Sequence, residues 1–214
     1  LLAAVSCAPS ADRRTPPIRV AAPRIAASRM SPAPAEADGL TRFDSWPKAC
    51  ELLTADDLRA LLPQVTKVTQ TPLEQQIKVT NLGDGPGDDG DAPGTSCETR
   101  FWVAGTERKP HAEPDLVRVE DIAVGDTDTV KDNYDALALS RPRVPGGLGA
   151  LECVLATLDY YCRMPHIAFS VGTGSSLYID RFAGQPEHTA AQTYWVKNVL
   201  PELIRSVASK LPDR

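Results

Sequence analysis

Four cysteines, Cys50, Cys97, Cys153 and Cys162, constrain this chain more than any other feature. A fifth, Cys7, ends an apolar N-terminal run and stands apart from them. An even set of cysteines in an exported chain favours disulfides over metal ligation. No Cys-x-x-Cys or His-x-x-x-His spacing offers a zinc site. Of the three possible pairings, Cys50–Cys97 with Cys153–Cys162 is preferred. Glu152-Cys-Val-Leu155 and Tyr160-Tyr-Cys-Arg163 read as short strands around Ala156-Thr-Leu-Asp159, and a hairpin centred between 157 and 158 sets Cys153 opposite Cys162. In the chain-entropy model that small loop contributes ~2.7 kcal/mol and the wider Cys50–Cys97 loop ~4 kcal/mol.

The stretch Cys50-Glu-Leu-Leu-Thr-Ala-Asp-Asp-Leu-Arg-Ala-Leu-Leu-Pro63 reads as a cysteine-anchored amphipathic helix. Thr54 is the expected N-cap and Asp57 occupies the third helical position, the spacing of a capping box. Leu58, Leu61 and Leu62 share one face, and Pro63 stops the helix.

Residues 1–7, Leu1-Leu-Ala-Ala-Val-Ser-Cys7, resemble the end of a bacterial lipobox. In that class the chain is cleaved before the cysteine, which then carries lipid such as palmitate. The sequence departs in having Ala4 where Leu is usual. An apolar run of this length is far short of the ~20 residues that span a bilayer. Residues 8–42 have the composition of a disordered tether rich in Pro, Ala and Arg, with Pro16, Pro17, Pro23, Pro32 and Pro34 blocking regular structure. The single folded domain is expected over 43–214, and 42% hydrophobic residues are enough for its core.

Charge is split along the chain. Residues 1–35 carry five Arg against one Asp, or +4, so with −5 overall the remainder carries −9. An acidic domain repels polyanions, which argues against a nucleic-acid partner. A basic leader suits anionic headgroups, at about 1 kcal/mol per charge near the surface. The Arg/Pro/Ala bias points to a GC-rich genome such as that of an actinobacterium.

Strands are expected over 65–70, 75–80, Cys97–Val103 and Leu116–Val124. Between them, Gly83–Gly94 reads as a surface loop. Its Asp84, Asp88, Asp89 and Asp91 invite a calcium reading, but the spacing misses the EF-hand pattern. A helix capped at Thr127 or Asp128 runs through Tyr134 and Leu137 to Leu139 and breaks at Arg141-Pro142. Ile167–Val171 and Leu177–Phe182 read as a hairpin across a Gly-rich turn that has neither P-loop nor nucleophile-elbow order. Glu187–Leu211 is the longest helical pattern, with Val196, Val199, Leu200, Leu203, Ile204, Val207, Ala208 and Leu211 in one apolar stripe. Lys197, Glu202, Arg205, Ser206 and Lys210 face away, and Pro201 is expected to kink or split the helix.

The order of these parts resembles the actinobacterial cell-envelope lipoproteins of unknown function. More distantly it is similar to the two-disulfide extracellular sensor domains of mycobacterial receptor serine/threonine kinases. The likeness is carried by Cys50-x-Leu-Leu-Thr54, Cys97 before Trp102, the loop Pro145-Gly-Gly-Leu-Gly149 and the closing Leu211-Pro212. It covers roughly residues 44–212. It implies an α+β fold, a twisted, mostly antiparallel sheet carrying an N-terminal, a middle and a long C-terminal helix. It transfers no catalytic residue.

The expected function is that of a membrane-anchored extracytoplasmic domain, non-catalytic, that binds a small ligand or an envelope protein partner. Its contact with membrane lipid would run through Cys7. Gly146, Gly147 and Gly149, with Trp102 and Trp195, are the candidate ligand-binding residues; no cofactor and no metal is expected. The rival class is a secreted hydrolase assembled in space from His111, His166, His188 and scattered carboxylates. A lipid-anchored accessory regulator of a sensor or transport system is a third.

Overall fold

The computed structural model describes residues 19–30, 47–79, 90–104, 114–173 and 188–212. Two short helices, α1 (Ala49–Leu52) and α2 (Ala55–Leu61), precede strands β1 (Val65–Val79), β2 (Gly90–Val103) and β3 (Asp115–Val124). Helix α3 (Thr127–Ala138), a 3₁₀ turn (Gly147–Gly149) and strands β4 (Glu152–Ala156), β5 (Asp159–Arg163) and β6 (Ile167–Gly172) follow. The chain closes with α4 (His188–Tyr194), a π-helical turn (Trp195–Val199) and α5 (Leu200–Lys210).

The six strands form one sheet in the order β1-β2-β3-β6-β5-β4, in which neighbouring strands run antiparallel. The protein is therefore α+β, with helices packed on an antiparallel sheet and two disulfides, Cys50–Cys97 and Cys153–Cys162. Cys153 pairs with Cys162 across β4 and β5, the register the hairpin required. Cys50–Cys97 ties α1 to β2.

Strand alternation sends Cys97, Thr99, Phe101 and Val103 to one face, where they are buried. There they meet Val117 and Val119 of β3, Phe169 and Val171 of β6, and the apolar stripe of α5 in the main core. A bulge in β3 shifts the register between Asp121 and Ala123 and reverses this alternation. Asp121 thus lies on the main-core side opposite Phe169, whereas Ala123 pairs with Ala168 on the other face. That second face holds a smaller core in which Val130 and Tyr134 of α3 cover Ala123, Val154 and Ala168.

The capping box forms as expected. Asp57 N–H donates to Thr54 Oγ1 at 3.2 Å and Thr54 N–H donates to Asp57 Oδ2 at 2.9 Å. The cap divides the expected helix in two, because Leu53 takes an extended conformation ahead of Thr54. Lys210 Nζ reaches the same Asp57 Oδ2 at 2.5 Å and joins α2 to the end of α5. Burial works against the Asp57 carboxylate, yet hydrogen bonds from Lys210 and Thr54 hold its pKa below the usual range.

Several elements differ from their sequence reading. The strands expected over 65–70 and 75–80 fall, as far as Val79, in one strand, β1, and β2 begins at Gly90 within the stretch read as a loop. Pairing of Gln75–Val79 with Gly90–Gly94 supplies the hydrogen bonds that local composition did not foretell. Helix α3 is capped by Asp126, whose carboxylate accepts from Asp128 N–H and Thr129 N–H, one or two residues earlier than expected. The expected strand 177–182 lies outside the described residues, as do Cys7, His111 and Asp84, Asp88 and Asp89.

Pro201 acts through the π-helical turn. Leu200 N–H donates to Trp195 O, which displaces the helical ladder by one residue. Pro201 has no N–H to give to the Val196 carbonyl. Tyr160 on β5 donates its hydroxyl to that carbonyl at 3.0 Å.

Residues 19–30, inside the stretch read as a free tether, lie along the domain. Ala21 N–H donates to Leu61 O at 2.8 Å, and Met30 N–H to Lys210 O at 2.6 Å. Arg29 Nη1 donates to Ala208 O and Leu211 O at 2.9 and 2.8 Å, capping the C-terminus of α5. Ala26 N–H donates to Ser209 Oγ, so the segment covers the α5 face that Ser206 shares with Ser209 and Lys210. Ser206, expected to face away, is buried.

Candidate functional site

The five residues expected to bind a ligand do not converge. Trp195 is 0% exposed and stacks on Phe101 with ring centroids 5.9 Å apart, so it packs the main core. Trp102 follows Phe101 on β2 and points to the opposite face of the sheet. Gly146, Gly147 and Gly149 take φ values of 74°, 58° and 90°, the left-handed geometry that favours glycine. Their turn packs against α5, where a Cβ on Gly149 would meet Ala208 Cβ at 3.6 Å. Leu148 between them also has positive φ, at 51°, and its side chain is buried in the main core. The glycines therefore shape a turn beneath the C-terminal helix.

The histidines are likewise dispersed. His166 is exposed, with Nδ1 2.9 Å from the Gly125 carbonyl. His188 opens α4. Among the described residues, no group of three or more His, Cys, Asp or Glu is placed to hold a metal ion.

A different cluster gathers on the second face of the sheet, beside α3. Tyr161 and Arg163 alternate with Cys162 on β5, so the disulfide enters the main core while these two side chains project the other way. Glu152 lies directly across from Arg163 on β4. The chain after α3 returns along β4, with Val144 N–H bonded to Cys153 O and Leu155 N–H to Pro142 O, and this carries Arg141 and Arg143 to the same place.

Glu152 bridges two of the three arginines. Arg143 Nη1 donates to Oε2 at 2.7 Å, and Arg163 Nη2 donates to Oε1 at 3.3 Å. Burial works against the Glu152 carboxylate, but the hydrogen bonds from Arg143 and Arg163 hold its pKa below the usual range. Arg141 stands 4.7 Å over the Tyr161 ring and Arg163 5.8 Å over the Tyr134 ring, both cation–π distances. Three donors in this cluster are buried without a hydrogen-bond partner among the described residues: Arg141 Nη1, Arg163 Nε and the Tyr134 hydroxyl. Burial, followed by the charge of Glu152, pushes the Tyr134 phenol up, so it remains a neutral O–H donor.

Sequence reading treated Arg141-Pro142 only as a helix breaker, gave Arg143 no role and took Arg163 only as the flank of a disulfide. The available signal was alternation, since a cysteine turned to the core obliges its neighbours Tyr161 and Arg163 to share the other face.

The second buried polar feature is Asp121, 1% exposed on the main-core side. Its Oδ2 lies 2.5 Å from Thr95 Oγ1, and its Oδ1 has no partner among the described residues. Gln75 Nε2 donates to the carbonyls of Asp121 and Thr95 at 2.5 and 3.0 Å, tying β1 to β2 and β3. Burial pushes the Asp121 carboxyl up to about 7. Its contacts place it as a buried joint between the sheet and the start of α1.

No protein-family model, curated protein or solved structure matches the chain.

Proposed function

We propose that the chain is a lipid-anchored extracytoplasmic domain that binds a small anionic ligand and performs no chemistry on it. The observation that carries the extracytoplasmic reading is the pair of disulfides, one inside the sheet and one tying a helix to it. Such bonds persist in oxidising compartments. Among the described residues no helix is long and apolar enough to cross a membrane, and anchoring is assigned to a lipid on Cys7. Kinship with the actinobacterial envelope lipoproteins and receptor-kinase sensor domains is part of the same proposal. It is supported by the agreement between the expected and observed sheet, helices and cysteine pairing.

The binding reading is supported by the arginine–tyrosine cluster. Guanidinium groups stay charged and donate, and they recognise oxyanions without exchanging protons at neutral pH.

The test is export of the full chain in an actinobacterial host fed a clickable fatty acid. The wild type takes up label and stays with the membrane, while Cys7→Ala loses both. Equal labelling of the two would end the anchoring reading. Four reactive thiols in the exported protein would end the extracytoplasmic one.

A further inference from the structure

We propose that Arg141, Arg163 and Tyr134 form an oxyanion site that takes the phosphoryl group of a small ligand, with Glu152 as its internal competitor. The proposal rests on the binding reading above and names the ligand class of that site.

Charge is the first argument. The cluster holds Arg141, Arg143 and Arg163 against the single shared carboxylate of Glu152. Lys131 and Asp135 on α3 are paired with each other at 2.6 Å, and Asp132 also acts on Lys131. Counting all of these leaves four cations and three carboxylates, a positive site on a chain of net charge −5. Arg141 has no carboxylate partner among the described residues, and its cationic head rests on the Tyr161 ring.

Desolvation is the second. Arg163 is 9% exposed and Tyr134 fully buried, and each keeps a donor without an acceptor among the described residues. Leaving such donors unmet is costly, and more so when the group is charged. An arriving oxyanion removes that cost for several groups at once.

Geometry selects the class of anion. A planar carboxylate matches a single guanidinium fork. The cluster's own carboxylate, Glu152, forms no such fork, because its two oxygens are divided between Arg143 and Arg163. The remaining donors come from three elements: Tyr134 on α3, Arg141 in the following loop and Arg163 on β5. Donors carried on three separate elements suit the tetrahedral oxygens of a phosphoryl group better than a planar carboxylate. Arg143, with its side chain 65% exposed, is the member with room to follow Glu152 aside as the anion enters. Leu139 and Leu151, 74% and 54% exposed, flank the arginines and Glu152 in the chain. They offer apolar surface to whatever carries the phosphoryl group.

The experiment follows the arginine Nε–Hε NMR signals of the full, disulfide-intact chain during titration with inorganic phosphate, with chloride at matched ionic strength as reference. The Arg141 and Arg163 signals are expected to shift saturably with phosphate. Arg141→Gln should weaken binding at least about tenfold, while Arg100→Gln leaves it unchanged. Glu152→Gln removes the competitor and should tighten binding by at least about threefold, a gain that misfolding does not produce. Linear shifts that chloride reproduces, or tighter binding absent in Glu152→Gln, would overturn the site.

Vesicles of phosphatidylglycerol and phosphatidylcholine identify the source of the phosphoryl group. Capture by the anionic vesicles alone, lost in Arg141→Gln, assigns a lipid headgroup; phosphate binding without capture assigns a soluble phosphorylated molecule. A chain that is lipidated and oxidised but fails the phosphate titration refutes the site and leaves the extracytoplasmic reading standing.

Discussion

Thr95 Oγ1 and Asp121 Oδ2 meet at 2.5 Å beneath the start of α1. The same hydroxyl accepts from Ala49 N–H at 3.0 Å and lies 3.1 Å from the Pro47 carbonyl. A hydroxyl has one proton to donate. When that proton goes to Pro47, the contact with Asp121 requires a proton on the carboxyl. The arrangement is complete only with Asp121 neutral, in accord with a carboxyl pushed up to about 7 by burial.

A pH dependence of stability follows. The folded state holds the Asp121 proton more tightly than the unfolded chain, whose carboxyl titrates near 3.8. Its stabilisation is complete below pH ~4 and is lost as pH rises through about 7, amounting to at most about 4 kcal/mol. Asp57 and Glu152, depressed carboxylates, act in the opposite sense and at lower pH. Urea midpoints between pH 4.5 and 8 are expected to fall with rising pH in the wild type and to flatten in Asp121→Asn. Parallel curves for the two proteins would refute the neutral carboxyl.

Tyr160 compensates a proline on another element. Its hydroxyl donates to Val196 O, the carbonyl that the π-helical turn and Pro201 leave without a ladder N–H. Tyr160→Phe keeps the ring and removes the donor, and is expected to destabilise by about 1–3 kcal/mol. Denaturation of that variant checks the cost. Hydrogen exchange of Val199 and Leu200 should accelerate in it beyond the global effect.

Arg29 joins the N-terminal segment to the last helix. Arg29→Ala removes two donors from the carbonyls of Ala208 and Leu211 at the α5 C-terminus, where a cation is also favoured. The expected loss is on the order of 1–2 kcal/mol. Faster protease cleavage within 19–30 than in the wild type reports release of the segment. Unchanged cleavage would show that the remaining bonds, including those of Ala21, Ala26 and Met30, hold it without Arg29.

The two disulfides are predicted to be unequal. Cys50–Cys97 closes a sequence separation of 47 and Cys153–Cys162 one of 9. Replacing the first pair with serines should cost about 4 kcal/mol, against roughly 2.7 for the second. Urea midpoints of the two double variants give the order. A larger loss from the hairpin pair would mean that packing around β4 and β5 outweighs chain entropy.

The legible parts of this protein are those whose interactions close within a few residues. Thr54 and Asp57 satisfy each other across three positions, and Cys153 faces Cys162 because a short hairpin allows that register. Alternation in Cys97–Val103 marks a strand with one buried face, and spacing in Val196–Leu211 marks a helix with an apolar stripe. Tertiary structure decided what covers each face. It laid α3 on the outer side of the sheet, buried Ser206 on α5, and drew Trp195 from a candidate platform into the core against Phe101. It also gathered Tyr134, Arg141, Glu152 and Arg163 from four separate parts of the chain. Burial, charge pairing and orphaned donors depend on which groups lie across the gap, and chain spacing records only the groups alongside.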